Sequence, residues 1–275
     1  MIKWCAWLAA ALMLTAFPAR AEQPPLRVGV VPYLTTNVLM TLFQPLRAHL
    51  EHSLGRPVEL YTERDVRTFV RRTLTPDFDL IISAAHHARL AQVEAGYVPL
   101  VRFSGPLHAA IAVRSDSPLQ DPRDLRGRRI AVTDRSILVN IVSLKLLADM
   151  GLAEKDLDLS LVNSQNSGLL AVARGEAEAA IIAHFTLDQI PPEQRSDIRI
   201  IFKSDVLPNV TLLANPQMPK ADQETLRRAL LALPHSADGR AFLERSRFQG
   251  VQTVDEAYMK RLDTYLPETR RHLAP

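Results

Sequence analysis

"VLPNVTLLANP", Val206 to Pro216, decides how this chain is put together. Val210-Thr211-Leu212-Leu213 is a short β-prone run between Pro208 and Pro216, and it reads as one buried strand. The rest of the chain is helical in pattern, with helices expected at about Ala221 to Leu233, Ala237 to Ser246 and Val254 to Tyr265. A single strand cannot make a sheet, so this one must rejoin strands laid down far earlier. The chain then crosses between two bodies twice, near Ser104 to Arg114 and near Phe202 to Pro208. Two connections make a hinge, with a cleft between the bodies.

Upstream, strands and helices alternate. Leu26 to Val31 is an apolar strand, and Pro32 to Asn37 a loop. The helix behind it carries Leu39, Leu42, Phe43, Leu46 and Leu50 at helical spacing, with Gly55 as its stop. "PVELY" is a second strand, Asp65 can cap a short helix through Val66, Phe69 and Val70, and "FDLIIS" is a third strand before a helix from Ala85 to Ala95. "YVPLVRF" and "HAAIAVR" are two more strands. After the turn-rich "SDSPLQDPRDLRGRR" the pattern restarts: the strand "RIAVTD", a helix ending near Met150, the strand "LDLSLVN", the polar loop "SQNSG", the helix "LLAVARG", and the strands "AEAAIIAH" and "DIRIIF". Short continuous apolar strands between helices indicate two α/β lobes, each a mostly parallel sheet with helices on both faces. Expected limits are 22–108 with 205–275 for the first lobe and 109–204 for the second. In such sheets ligands sit beyond the carboxyl ends of the strands, where helices begin.

The first residues read as a leader. Lys3 is followed by the apolar run Trp4 to Phe17 and by Ala19-Arg20-Ala21, so residues 1–21 are expected to be a signal peptide cut before Glu22. An uncleaved anchor is the alternative, although a spanning helix needs roughly 20 apolar residues. Cys5, the only cysteine, lies within this leader, which excludes disulfides and thiol chemistry from the rest. Removing Lys3 and Arg20 takes the charge from 33 − 30 = +3 to 31 − 30 = +1. With so little net charge and no basic tract carrying aromatics, nucleic acid is not an expected partner, and "DLRGRR" reads as a solvated turn.

Several phrases in this order resemble the periplasmic solute-binding proteins of the phosphate/phosphite/phosphonate type. They are "VGVVPYLTTN", "PLRAHLEHSLGRPVEL", "FDLIISAAHHARLA", "AIAVRSDSPLQDPRDLRGRRIAVTD" and "LLAVARGEAEAAII". The resemblance implies the two-lobed type II periplasmic binding protein fold. It also implies a place in the periplasm, a small-molecule ligand, and delivery to a membrane ABC permease. A signalling receptor is the alternative partner, and a secreted enzyme a further alternative. A monomer is expected.

Helix N-termini offer free N–H groups and a positive dipole end, which suit oxyanions and carboxylates. Three are expected at the cleft. Tyr33, Thr35, Thr36 and Asn37 hold the first, where capping competes with ligand contact as the role of the threonines and asparagine. Ser83 and His86 hold the second. The resemblance places His86 at the lip of the cleft and His87 where an aromatic residue is common. Adjacent helix residues do not face each other, so His86 is expected to face the cleft and His87 to point elsewhere, unless His86 only bonds nearby backbone. Thr133, Asp134, Arg135 and Ser136 hold the third terminus, on the opposite lobe. Arg135 suits an anion through its two-pronged guanidinium, or else is a solvated surface arginine.

The resemblance implies a hydroxyl- and glycine-rich run at that third terminus, but Ser136 is followed by Ile137, Leu138 and Val139. Gln165 stands where a histidine is common, and Asn166 beside it is polar. Lost hydroxyl donors leave a tetrahedral phosphorus ligand short of bonds, which points instead to a larger or partly apolar ligand, or a carboxylate. His184 either lines the cleft or is a satisfied buried residue. His49 and His52 are read as part of a solvated helix face. No cofactor, metal site or catalytic residue is expected, since the chain has no Gly-x-Ser-x-Gly, His-Glu-x-x-His or Gly-x-x-x-x-Gly-Lys.

Overall fold

In the computed structural model, which describes residues 23–195 and 197–273, the first strand in the chain is the apolar run β1, Leu26–Val30. The expected leader, its expected cleavage site and Cys5 lie outside the described residues. α1 (Thr36–Leu54) buries Leu39, Leu42, Phe43, Leu46 and Leu50 as their spacing predicts. Each such side chain removed from water is worth about 1.5–3 kcal/mol. Gly55 ends α1 in the left-handed region, φ 62°. β2 (Val58–Tyr61) and α2 (Val66–Thr73) come next, and the Asp65 carboxylate accepts from the Thr68 N–H at 2.7 Å as the α2 cap. β3 (Leu80–Ser83), α3 (Ala85–Ala95) and β4 (Val98–Ser104) complete this part of the chain.

The second set comprises β5 (Ala109–Arg114), β6 (Arg129–Val132), α4 (Leu138–Asp149), β7 (Asp158–Leu161), α5 (Gln165–Ala173), β8 (Ala179–Ala183), α6 (Thr186–Gln189) and β9 (Ile198–Lys203). The tail adds β10 (Thr211–Ala214), α7 (Lys220–Leu231), α8 (Ala237–Ser246), β11 (Gly250–Thr253), α9 (Glu256–Arg261) and α10 (Leu266–Leu273).

These strands form a six-stranded sheet, order β11-β4-β10-β3-β1-β2, and a five-stranded sheet, order β7-β6-β8-β5-β9. The returning strand β10 inserts between β3 and β4, with Leu212 opposite Ile82 and Val101. It comes back from the other lobe and therefore enters antiparallel. β1, β2, β3 and β4 point one way and β10 and β11 the other. In the second sheet β5 alone opposes the rest. The two crossings, after β4 and after β9, run side by side: Leu207 N–H donates to the Leu107 carbonyl at 2.7 Å.

Some local expectations differ. β11 pairs Val251 with Phe103 at the sheet edge, where the sequence pattern suggested no strand. The helix expected over Val254 to Tyr265 is α9 and then a 3-10 turn, and α10 lies beyond it. The "SQNSG" segment is not a loop: Ser164 caps α5 by accepting from the Ser167 N–H, so Gln165 and Asn166 sit in the first helical turn. His49 is buried between Ser236 Oγ and the Ala229 carbonyl, each 2.7 Å from a ring nitrogen, whereas His52 is on the surface. The α7–α8 segment covers α1 on the side the sequence left to solvent.

Candidate functional site

The loops after β1, β3 and β6 and the start of α5 converge between the lobes on a cavity of about 60 Å³. Its walls are apolar and come from both lobes and both crossings, among them Val31, Val66, Leu107, Leu138, Phe185 and Val210. Tyr33, His87 and Gln165 are its polar side chains, and among the described residues no lysine or arginine lines it. A wider groove of about 760 Å³ opens at the outer edge of the lobe interface, lined by Asn37, Gln189 and Arg247 among others. The smaller cavity is the candidate site: the starts of α3, α4 and α5 all reach it, whereas the groove meets only the start of α1.

Three of those helices, α1, α3 and α4, begin without a side-chain cap hydrogen bond. The caps of α3 and α4 are Ala84 and Ile137, neither of which can accept a hydrogen bond through its side chain, and both line the cavity. Their first-turn N–H groups are thus left to other acceptors. α5 differs. Ser164 caps it, and its Gln165 N–H donates to the Tyr33 carbonyl of the opposite lobe at 3.0 Å.

The lobes are in direct contact around this cavity. The Thr35 N–H donates to Asn166 Oδ1 at 2.9 Å, and Asn166 Nδ2 donates to Thr35 Oγ1 at 3.2 Å. His86 Nε2 and His87 Nε2 both reach the Ser136 carbonyl oxygen, at 2.6 and 3.0 Å. Their rings lie 3.9 Å apart. A carbonyl only accepts, so both Nε2 atoms carry hydrogen, and each Nδ1 of a neutral ring is an acceptor. Among the described residues neither Nδ1 has a partner, nor do Ser136 Oγ and Asn140 Oδ1 nearby. Burial holds the His86 imidazole down to about 4, against the Ser136 carbonyl, which favours protonation. Burial, and then the charge of His86, push His87 down as well. Arg67 pairs with Asp134 across the interface at 3.5 Å, and Gln189 Nε2 donates to the Ser246 carbonyl at 2.6 Å.

The residues expected at the site are only partly brought together. Tyr33 and Gln165 line the cavity. Burial pushes the Tyr33 phenol up. Gln165 Oε1 accepts from the Ala183 N–H at 2.7 Å and from Thr186 Oγ1 at 2.6 Å. Thr35 and Asn166 join the lobes. Thr36 is exposed, and Asn37 lines the outer groove. Ser83 is buried in the strand pair with Thr211. Thr133 is buried and accepts from Asn140 Nδ2 at 2.9 Å. Ser136 contributes its carbonyl to the histidines.

Of the readings left open, Arg135 and His184 fall on the side away from the cavity, and the expected roles of His86 and His87 are reversed. Arg135 is turned away into an ion pair with Glu154, 2.8 Å, within the second lobe. His86 is wholly buried and does not line the cavity, while His87, expected to point elsewhere, does. At the very start of α3 both rings are covered by the opposite lobe, so helical spacing does not separate them. His184 lies at the crossing, not in the cavity: its Nδ1 accepts from the His108 N–H at 3.2 Å. Burial, then His108 and Lys203, hold it down to about 4. The apolar wall was missed as a wall, although Ile137-Leu138-Val139 was visible as the replacement for hydroxyls.

The model of the family described as ABC transporter, phosphonate, periplasmic substrate-binding protein matches residues 28–258. The chain belongs to this family. As a phosphonate-type binding protein it is a periplasmic solute-binding component of an ABC transporter. Three solved structures share its fold. One is a binding protein component of an ABC phosphonate transporter from Pseudomonas aeruginosa, 15% identical, covering 92% of this chain and 90% of that one, TM-score 0.80. The second is PhnD1 from Prochlorococcus marinus in complex with methylphosphonate, 13% identical, covering 90% and 98%, TM-score 0.79. The third is the alkanesulfonate-binding protein SsuA from Xanthomonas axonopodis pv. citri bound to MOPS, 18% identical, covering 93% and 96%, TM-score 0.63. At these identities the likeness is one of fold. Among the described residues no helix is long and apolar enough to cross a membrane, and no three His, Cys, Asp or Glu side chains gather as a metal site.

Proposed function

We propose that this binding protein captures a small organic oxyanion bearing a short apolar substituent, a phosphonate or a comparable acid. The observation that carries the reading is the pairing of two helix starts without side-chain caps, at Ala84 and Ile137, with an otherwise apolar cavity. Backbone N–H groups at helix N-termini bind oxyanions without a cationic side chain, and the apolar wall suits a carbon substituent. Closure results from contacts made to both lobes at once, since a ligand shifts a two-state equilibrium by its differential affinity. The closed form is then delivered to the permease as a monomer, without turnover. β10 and β11 in the first sheet support lobe limits of 22–108 with 205–275 and 109–204. The leader pattern supports export with cleavage before Glu22.

Native mass spectrometry of freshly purified protein reads any retained guest. Thermal-shift titration with methylphosphonate, ethylphosphonate, ethanesulfonate, propionate and inorganic phosphate then orders the classes, because a ligand selective for the folded state raises the melting temperature. The expected order places an alkyl-bearing oxyanion above inorganic phosphate. A larger shift with inorganic phosphate, or none with any probe, refutes the reading.

A further inference from the structure

At the turn from β3 into α3, His86 and His87 reach across to the other lobe and meet on one atom. Both Nε2–H groups donate to the Ser136 carbonyl, at 2.6 and 3.0 Å, and both rings are excluded from solvent, at 0% and 1% exposure. Protonation would leave both Nε2–H bonds in place, but burial opposes the charge. A proton on either Nδ1 would place a positive charge in a buried site, 3.9 Å from the neighbouring ring centroid, with no partner for the new N–H among the described residues.

We propose that His86 and His87 are positioning residues for lobe closure, a neutral double latch on the Ser136 carbonyl that acid releases. The inference rests on closure of the two lobes about their hinge but not on the ligand class. Parting the lobes breaks both bonds and admits water to His87, which already lines the cavity.

The charged groups on the elements around the rings are committed elsewhere. On α3 itself, Arg89 is clamped by Asp263 at 2.7 Å and by Glu256 at 3.4 Å, and Glu94 by Arg270 at 2.7 Å. From α2, Arg67 faces Asp134, and Arg71 donates to the Leu273 carbonyl at 3.2 Å. From β4, Arg102 lies over the Tyr258 ring. The Tyr265 ring stands edge-on to His86 at 6.5 Å, un-ionised because burial raises its phenol. The forces acting on the two rings are burial, their mutual charge and the carbonyl.

Linkage sets the sign. The closed form holds both imidazoles below their ordinary value of about 6.5, so the open form binds more protons. Closure is therefore at full strength above pH 6.5 and is lost as pH falls from there towards 4. Each ring freed on opening lowers the closed-to-open ratio about tenfold per pH unit below its solution pKa.

The test measures inter-lobe distance in ligand-free protein, with spin labels on cysteines placed at Val93 and Leu161, which are exposed and lie on opposite lobes. Cys5→Ser removes the native thiol. The expected result is a closed-to-open ratio at least tenfold lower at pH 5.0 than at pH 7.5. In His86→Gln/His87→Gln, where the amide still donates but does not titrate, the ratio should change less than threefold over that range. If the double variant melts early, His87→Gln alone should lose at least half of the logarithmic pH response. A wild-type ratio that does not move with pH, including a protein open throughout, overturns the proposal, as does a wild-type slope in the glutamine variants. Because no ligand is added, failure here leaves the ligand assignment untouched, and failure of the ligand screen leaves the latch untouched.

Discussion

Replacing Asn166 by alanine tests whether closure depends on the first turn of α5. Asn166 is 2% exposed and grips Thr35 of the opposite lobe twice, accepting from its N–H at 2.9 Å and donating to its Oγ1 at 3.2 Å. Each neutral bond is worth about 1 kcal/mol net, and a buried donor left without an acceptor costs about 1–3 kcal/mol. Thr35 is only half-buried, so water meets part of that second cost and the lower end applies. The total is about 2–3 kcal/mol against the closed state. In the open state both residues are hydrated with or without the asparagine. The third bond, Ser164 Oγ to Asn166 Oδ1 at 2.9 Å, lies within one lobe and is lost from both states alike. The closing constant should therefore fall about 30- to 150-fold, since 1.4 kcal/mol is a factor of ten. The assay is the inter-lobe distance distribution at pH 7.5, read beside a denaturant melt. The reasoning is refuted if Asn166→Ala leaves the closed fraction unchanged, or if its cost appears wholly in the melt.

The geometry dictates two further outcomes. Arg135→Ala should leave ligand-induced melting shifts intact and change stability by less than about 0.5 kcal/mol, because its partner Glu154 is half-exposed and surface ion pairs contribute little; a tenfold loss of affinity for a bound oxyanion would return Arg135 to the site. Gly239→Ala should destabilise by about 2–4 kcal/mol in urea unfolding: its new Cβ would fall 1.8 Å from the Leu233 carbonyl oxygen, which forces backbone movement and breaks the Ser236 cap on the Gly239 N–H. A cost under about 0.5 kcal/mol, the range of an ordinary surface substitution, would show that the start of α8 is freely adjustable.

The periodicities that build the first lobe were legible because they report burial directly. Leu39 through Leu50 and Leu80-Ile81-Ile82 could hardly be anything but a covered helix and a covered strand. The return of the chain was legible for a negative reason: one β-run after residue 205 could not stand alone. β11 was not legible, since Gly250 to Thr253 alternates weakly and two of its residues are exposed, as an edge strand permits. At the site the limit is different in kind. Arg135 looks like an anion ligand until Glu154, on a distant turn, is found beside it. His86 and His87 look like one cleft residue and one pointing elsewhere until the second lobe covers both. Pairings made across the interface leave no local trace, and apolar cavity walls have the same composition as core.

Gln165 shows what the departure from the expected histidine accomplishes. Its Oε1 is committed to two donors, the Ala183 N–H and the Thr186 hydroxyl. That fixes the amide orientation and leaves Nε2 as the uncommitted donor of a residue that lines the cavity. A histidine there could carry charge; an amide cannot. On the proposed reading the donors facing a guest are then all neutral: this amide, the Tyr33 hydroxyl, which has no partner among the described residues, and the first-turn N–H groups of α3 and α4. Neutral dipoles in a water-poor cavity can still hold an anion, because hydrogen bonds strengthen as the local dielectric falls. They do so without the desolvation cost of a buried cation. An anion held this way gains little from extra charge and much from a substituent that fills the apolar wall. If the proposed oxyanion is held here, two oxyanions of equal charge should differ in affinity as their alkyl groups fit against Leu107, Leu138 and Phe185.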